Sequence, residues 1–122
     1  MGLKNLFTTK QKGDFGEKKA AAYLKRRGFR IIERNYRNRF CEIDIIAFKR
    51  GMYVFAEVKS RSSDEFGTPA QAVDKNRRER MVRAAKMYML GKEDFSVRFD
   101  VIEVYLDSRR INHYENAFDS NG

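Results

Sequence analysis

The densest run of apolar residues lies just before the middle of the chain and predicts two antiparallel strands joined by a tight turn. The segments Phe40–Phe48 and Met52–Val58 consist mostly of β-branched and aromatic residues, which are typical of strands. Arg50 and Gly51 lie between the two segments, and a glycine in a two-residue connection predicts a β-hairpin loop.

Two further segments have the apolar spacing of helices. In the first, Asp14 predicts an N-cap and Gly28 an end for a helix from about Phe15 to Arg27. The spacing of Asp14 and Glu17 also matches a capping box. In the second, a threonine followed by the only proline predicts a helix over residues 68–90.

The remaining apolar runs predict three more strands, at Phe29–Asn38, at Phe95–Leu106 and, more weakly, at Arg110–Tyr114. The element order α-β-β-β-α-β, with a final strand, predicts an α/β fold in which helices flank a mixed sheet. We expect a flexible basic arm at 1–12, a single domain at 13–114 and a C-terminal tail at 115–122.

The polar positions of the hairpin carry its candidate chemistry. With a two-residue loop, Asp44 lies directly opposite Glu57, and Lys59 projects onto the same face. Like charges at facing positions are destabilising, and burial among apolar residues adds to the cost. A divalent cation would remove this cost, because hard cations such as Mg²⁺ bind carboxylate and carbonyl oxygens. The pattern therefore predicts a metal site, with Lys59 placed to hold a water or to neutralise charge on a phosphate.

A salt-bridged polar face of an ordinary sheet is the competing interpretation of Asp44, Glu57 and Lys59. A Glu-x-Lys sequence on a strand is common, and a three-residue loop would turn Asp44 to the other face. The facing carboxylate in an Ile-Asp-Ile-Ile setting favours the metal site.

Charge indicates the class of partner. The chain has 122 residues, a length that suits one domain, and a formal net charge of +9. This surplus favours a polyanionic partner, most simply nucleic acid. A solvated surface is the competing interpretation for each cation taken alone. The candidate phosphate contacts are Arg37, Arg39, Arg61, Lys75, Arg77 and Arg78.

Cysteine usage and the chain's termini bear on location. Cys41 is the only cysteine, which excludes an intrachain disulfide and fits a reducing cytoplasm. No signal-peptide pattern and no segment of membrane-spanning length is present, so we expect a cytoplasmic protein with no membrane partner. His113, the only histidine, is expected at the surface.

A resemblance to known proteins rests on these same residues. The pattern of Asp44 followed by Glu57-Val58-Lys59 resembles the PD-(D/E)xK motif of restriction-endonuclease-like nucleases. Over roughly residues 13–106 the chain resembles the YraN family of small bacterial proteins. The matching residues are Gly16-Glu17, Ala20, Tyr23-Leu24, Gly28, Asn35-Tyr36, Glu42 to Ile46, Val54 to Arg61, Gly67-Thr68-Pro69, Ala72-Val73 and Arg98 to Val101.

The resemblance implies a restriction-endonuclease-like fold similar to that of archaeal Holliday-junction resolvases. It also implies that Glu17, on the first helix, reaches the metal site; the capping box is the competing interpretation, and the two are compatible. The chain departs from the pattern at Ile43, Cys41 and Arg77, where proline, glycine and lysine are expected. Because arginine does not deprotonate, Arg77 cannot supply a titratable amine.

Three functions are compatible with these features. The leading hypothesis is a hydrolase, a Mg²⁺- or Mn²⁺-dependent nuclease acting on DNA in preference to RNA, with the metal held by Asp44, Glu57 and the Val58 carbonyl. Cutting of branched or junction DNA by a homodimer with two active sites follows from fold resemblance alone. The alternative is a nucleic-acid-binding module that keeps the fold without cutting. A third hypothesis is a basic interaction protein with no nucleic-acid partner.

Overall fold

The computed structural model describes residues 8–62 and 73–120. The predicted α/β fold is confirmed, as is the element order with its final strand. The elements are α1 (Thr9–Arg26), β1 (Arg30–Arg37), β2 (Glu42–Lys49), β3 (Met52–Arg61), α2 (Lys75–Tyr88), β4 (Ser96–Tyr105) and β5 (Ile111–Phe118).

The strands form one mixed sheet in the order β1-β2-β3-β4-β5. Neighbouring strands are antiparallel except for β3 and β4, which run parallel from the pair Met52–Ser96 to the pair Arg61–Tyr105. Parallel neighbours need a crossover connection, and α2 lies within it. The parallel pair therefore joins the N-terminal strands to the C-terminal strands at the centre of the sheet.

The β2–β3 hairpin has the predicted register. Its pairs run from Lys49–Met52 to Ile45–Ala56. The loop residues Arg50 and Gly51 have φ values of 50° and 80°, and a type I′ turn requires positive φ at both positions. This register sends Asp44 and Glu57 to the end of the hairpin remote from the loop.

Two apolar clusters pack on the sheet, and each includes residues of one helix. Alternation along the strands supplies both clusters, because successive side chains point to opposite faces. The first contains Ala20, Ala21 and Leu24 of α1 with Ile45, Ala47, Val54, Ala56, Ile102 and Val104. The second contains Met81, Val82, Ala84 and Ala85 of α2 with Ile43, Ile46, Phe55, Val73, Phe99, Val101 and Phe118.

Helix α1 begins earlier than predicted. Thr8 is its N-cap, and Thr8 and Gln11 form the capping box. Asp14 therefore lies inside the helix, where it pairs with Lys10 at 3.2 Å, and the predicted Asp14 cap is wrong. Thr8 was missed because the preceding residues look like a polar arm; residues 9–12 are helical, whereas 1–7 lie outside the described residues.

Helix α2 is described from Lys75, with Asp74 as its N-cap accepting a hydrogen bond from the Asn76 N–H at 2.7 Å. The predicted start at Thr68 and Pro69 lies outside the described residues. Neither α1 nor α2, the helices that the structure describes, is long and apolar enough to cross a membrane.

The last strand is longer than predicted. β5 reaches Phe118, whose ring stacks on that of Phe99 with centroids 5.0 Å apart. Residues 115–118 therefore belong to the sheet and not to a tail. The alternation along Glu115-Asn116-Ala117-Phe118 is too irregular to predict a strand, and the Phe99 ring supplies the contact that holds it.

β5 also brings His113 into the interior, so its predicted surface position is wrong. The His113 side chain is 5% exposed, and its Nε2 lies 2.7 Å from Asp100 Oδ2. Its Nδ1 hydrogen-bonds the Tyr23 hydroxyl at 3.0 Å. Arg98 donates to both oxygens of Asp100, at 2.8 and 2.9 Å. We call these four side chains the Asp100 network.

Candidate active site

The proposed carboxylate pair lies where β2 and β3 stop pairing. The last pair of the hairpin is Ile45–Ala56, and Asp44 and Glu57 come immediately after it. The Val58 N–H donates to Asp44 Oδ2 at 2.8 Å. The Asp44 carboxylate thus binds the backbone of β3 just beyond the last strand pair, and this hydrogen bond fixes Asp44 beside Glu57.

The site concentrates negative charge in a partly buried place. Burial raises the pKa of Asp44, the charge of Glu57 raises it further, and the resulting value is about 8. Glu17 adds to the rise, whereas the hydrogen bond from the Val58 N–H opposes it. Burial and the neighbouring carboxylates thus outweigh the Val58 hydrogen bond, and the net effect disfavours the charged form of Asp44.

Glu17 lies on α1, and its charge raises the pKa of Asp44. Its Oε1 is buried without a hydrogen-bond partner among residues 8–62 and 73–120. Burial is the largest cause of the raised pKa of Glu17, and the charge of Arg34 opposes it. Because α1 begins at Thr9, the capping interpretation of Glu17 is wrong, and its carboxylate adds to the field at Asp44.

A close approach of α1 to β3 places Glu17. A Cβ atom on Gly16 would overlap the Ser60 hydroxyl, so glycine is the residue that fits there without displacing it. The Ser60 hydroxyl donates to the Lys12 carbonyl at 3.0 Å, which ties the first turns of α1 to the end of β3.

Arg77 occupies the other side of the carboxylate pair. Its guanidinium donates to both oxygens of Glu57, at 2.9 and 3.2 Å, and to the Glu42 carbonyl at 2.8 Å. We predicted Arg77 as a phosphate contact, but its guanidinium is hydrogen-bonded to Glu57. This ion pair could not be predicted from local sequence patterns, because it depends on how α2 packs against β3.

An open cleft of about 770 Å³ lies beside the pair. Lys59 lies in it, together with Glu57, as the shared face of β3 predicted. Burial lowers the pKa of Lys59, and the charge of Arg61 lowers it further. Asp74, the N-cap of α2, also lines the cleft, and sequence reasoning missed it because it read as part of a longer helix.

The other predicted phosphate contacts differ in their exposure and in whether they already pair with a carboxylate. Arg61 pairs with Glu103 at 3.0 Å and is largely buried, whereas Arg37 pairs with Glu42 at 3.1 Å at the surface. Arg78 donates to the Val73 carbonyl. Arg39 and Lys75 are exposed.

A smaller cleft of about 310 Å³ lies on the β1–β2 side of Arg77 and is lined by neither Asp44 nor Glu57. Arg37, Arg39 and Arg77 line it, with Arg80, a residue that we did not predict. Arg77 therefore borders both clefts. A helical spacing of three between Arg77 and Arg80 is the signal in the sequence that could have identified the fourth arginine.

The donor atoms suit a hard cation. Within the two described ranges, no group of three or more His, Cys, Asp or Glu side chains is close enough to hold a metal ion. Asp44, Glu57 and the Val58 carbonyl nevertheless supply oxygen donors, and Mg²⁺ commonly takes one or two protein carboxylates and keeps several waters. Glu17 Oε1, which has no hydrogen-bond partner in the described part of the chain, and the raised pKa of Asp44 both fit a place for added positive charge.

Comparison with known proteins gives the family. The pattern of the family described as "Uncharacterised protein family UPF0102" matches residues 16–104, and the resemblance to the YraN family is confirmed at this level. A UPF0102 protein of Clostridioides difficile is 48% identical over 111 residues, covering 89% of this chain and 97% of its own length. A UPF0102 protein of Caldanaerobacter subterraneus is 41% identical over 113 residues, covering 87% and 93%.

Among solved structures, the chain is similar to that of Pyrococcus furiosus SfsA in complex with Ca²⁺. Its TM-score is 0.38 and its sequence identity 16%, with coverage of 88% of this chain and 63% of the SfsA chain.

Proposed function

We propose that this chain, which belongs to the UPF0102 family, is a magnesium- or manganese-dependent nuclease that hydrolyses DNA phosphodiester bonds. One observation carries the proposal: Asp44 and Glu57 lie side by side and partly buried, with the pKa of Asp44 raised to about 8, and Glu57 lines an open cleft together with Lys59. Such a perturbed cluster in a cleft is typical of active sites.

Each residue has a role in this proposal. Asp44, Glu57 and the Val58 carbonyl would hold the metal, and Glu17 would contact one of its waters. The bound ion would supply an activated water and stabilise the leaving oxygen. Lys59, whose pKa is lowered by burial, would position the attacking water or donate to the phosphate oxygens as their charge increases.

Arg77 links catalysis to substrate binding. Its guanidinium already neutralises Glu57, so cation binding and the Glu57–Arg77 ion pair compete for the same carboxylate oxygens. Once released from one of those oxygens, the fork would still be held by the Glu42 carbonyl and could donate to a phosphate, for which its geometry is suited.

The substrate follows from charge and from the absence of a base-reading motif in the sequence. A formal net charge of +9 favours contacts to phosphates, and phosphate contacts carry no base information. We therefore propose low sequence specificity. A branched or junction substrate cut by a homodimer is part of the proposal and rests on fold resemblance alone.

A binding module without catalysis is the second candidate, and one observation favours it. The ion pair between Arg77 and Glu57, with side chains only 22% and 17% exposed, neutralises one carboxylate without any metal. A protein that only binds nucleic acid could keep the pair for stability.

Cleavage assays separate the two candidates. Labelled duplex, single-stranded and four-way-junction DNA would be incubated with Mg²⁺ or Mn²⁺ and the wild type, Glu57→Gln or the matched control Glu79→Gln, which alters an exposed carboxylate of α2. We expect metal-dependent cutting that Glu57→Gln abolishes and Glu79→Gln retains.

Calorimetric titration of the same proteins with Mn²⁺ provides a readout independent of cutting. We expect a heat of binding that disappears in Glu57→Gln. Binding of every DNA substrate with no cutting and no metal heat would refute the nuclease and favour the binding module.

A further inference from the structure

A second basic cleft lies at the opposite end of the sheet from the carboxylates. β2 runs from the site to the hairpin loop, and α1 runs in the same sense from Gly16, beside β3, to its end at Arg26. The cleft between the helix end and the loop measures about 610 Å³. Its lining residues are Arg26, Arg27, Gly28, Arg30, Phe48, Lys49 and Arg50.

Its cations come from α1, β1, β2 and the hairpin loop. None of the five cationic side chains has a carboxylate within 4 Å among the residues that the structure describes. The helix dipole accounts for cations in the last turn of α1 and at its C-cap. It does not account for Arg30 on β1 or Arg50 in the hairpin loop, which cap no helix.

Contacts within the protein hold three of these cations in place without neutralising them. Lys49 Nζ donates to the Arg27 carbonyl at 2.6 Å. The Arg30 guanidinium carbon lies 5.8 Å from the centre of the Phe48 ring, and that of Arg27 lies 5.5 Å from the centre of the Tyr23 ring. Stacked guanidinium groups keep their N–H donors at the edge, available to an anion.

Arg50 is an unusual residue for its backbone position. Its φ of 50° is left-handed, and a non-glycine residue other than Asn or Asp there costs about 1 kcal/mol. Asparagine is the common residue at this position of a type I′ turn. The arginine is therefore better explained by its side chain than by the turn.

We propose that Arg26, Arg27, Arg30, Lys49 and Arg50 form a second binding surface for nucleic-acid backbone phosphates. This inference rests on the proposed nucleic-acid partner and does not depend on cutting. Glu57 lies five residues along β3 from Met52, which at about 3.3 Å per residue corresponds to about 17 Å. A duplex that contacts both ends must therefore extend at least about five base pairs, at 3.4 Å each, from the carboxylates.

The test compares two triple variants of equal charge. The cleft variant is Arg26→Gln, Arg30→Gln and Arg50→Asn. The control is Lys18→Gln, Arg83→Gln and Arg109→Asn. All of these residues are exposed, and Arg109 matches Arg50 because its φ is 61°. Both variants lose three positive charges, so any effect of net charge alone is the same in the two.

Affinity for a labelled 20-base-pair duplex would be measured by fluorescence anisotropy in EDTA over a range of salt concentrations. We expect the cleft variant to bind at least about tenfold more weakly at low salt, and its slope of log affinity against log salt to fall by about 3, because each phosphate contact contributes about 0.9. The control should retain the wild-type slope. Thermal melts of both variants confirm folding.

Equal loss in the two variants, or loss in neither, would overturn the proposal. Because EDTA prevents metal-dependent cutting, a protein that binds through the cleft but never cleaves would refute only the nuclease. A protein that cleaves but binds equally well as the cleft variant would refute only the second surface.

Discussion

Two aspartates of the same sheet, Asp100 fully buried and Asp44 partly buried, have opposite electrostatic environments. Asp100 on β4 is fully buried, and its carboxylate receives hydrogen bonds from Arg98 and from the Asn116 N–H at 3.0 Å, with His113 at 2.7 Å. Asp44 on β2 accepts from the Val58 N–H and faces the carboxyl of Glu57.

Their pKa values differ accordingly. Burial raises the pKa of Asp100, but hydrogen bonds from His113, Arg98 and the Asn116 N–H outweigh it, so the net shift is downward. The pKa of Asp44 is raised to about 8 by burial and by Glu57. The fold therefore compensates the charge of the buried Asp100 carboxylate, whereas the surroundings of Asp44 disfavour its charged form.

The largest effect is expected at Asp100. We predict that Asp100→Asn lowers the free energy of unfolding by about 3–5 kcal/mol, because it removes the fully buried charge that pairs with Arg98 at 2.8 Å and leaves Arg98 only Glu115 at 3.9 Å. Urea unfolding followed by circular dichroism measures this. Asp44→Asn is the matched substitution and should cause no such loss. A comparable loss in both variants would show that the two carboxylates are stabilised equally by their neighbours.

We expect a smaller loss of free energy of unfolding when the arginine near each aspartate is replaced. Arg77→Gln deprives Glu57 of its two hydrogen bonds, and we predict a loss of about 1–3 kcal/mol, as for a buried acceptor left unsatisfied. Arg98→Gln, measured in the same urea titration, should cost more, because Asp100 is fully buried. If Arg77→Gln instead stabilises the protein, Glu57 does not need its cation.

The smallest predicted effect is an increase in the free energy of unfolding that depends on pH. An aspartate with a raised pKa holds a proton when folded that it lacks when unfolded, so its contribution to stability falls between its unfolded pKa of about 3.9 and its folded pKa of about 8. We predict that Asp44→Asn stabilises the protein by about 1 kcal/mol near neutral pH, and that the gain grows from pH 5 to pH 8.

The contribution of Asp100 to stability depends on pH in the opposite sense. Its lowered pKa stabilises the fold above the unfolded value, and this stability is lost as pH falls through the folded pKa. The deficit of Asp100→Asn should therefore be constant from pH 5 to pH 8 and shrink only in stronger acid. Melting temperatures over this range test both aspartates, and parallel pH profiles would show that they do not differ.

The sequence predicted the parts of the molecule that local patterns determine. The hairpin register followed from Arg50-Gly51, and that register brought Asp44, Glu57 and Lys59 to one place. The element order followed from apolar runs and turn residues.

Features set by packing between distant elements could not be predicted. Arg77 looked like an exposed cation until α2 was placed against β3, and His113 looked like a surface residue until β5 was placed beside Asp100. The start of α1 was missed for a local reason: Thr8 and Gln11 form a capping box, but Asp14 offered a second one nearer to the apolar face.

The parallel pairing of β3 with β4 has a consequence for synthesis on the ribosome. Each of its pairs joins a residue in 52–61 to one in 96–105, so α1 and the first three strands leave the ribosome before β3 has its second neighbour. Until then β3 exposes an unpaired edge bearing Val54 and Phe55, a template for association between nascent chains. The pairing of β3 with β4 joins residues distant in sequence, and such non-local contacts form slowly.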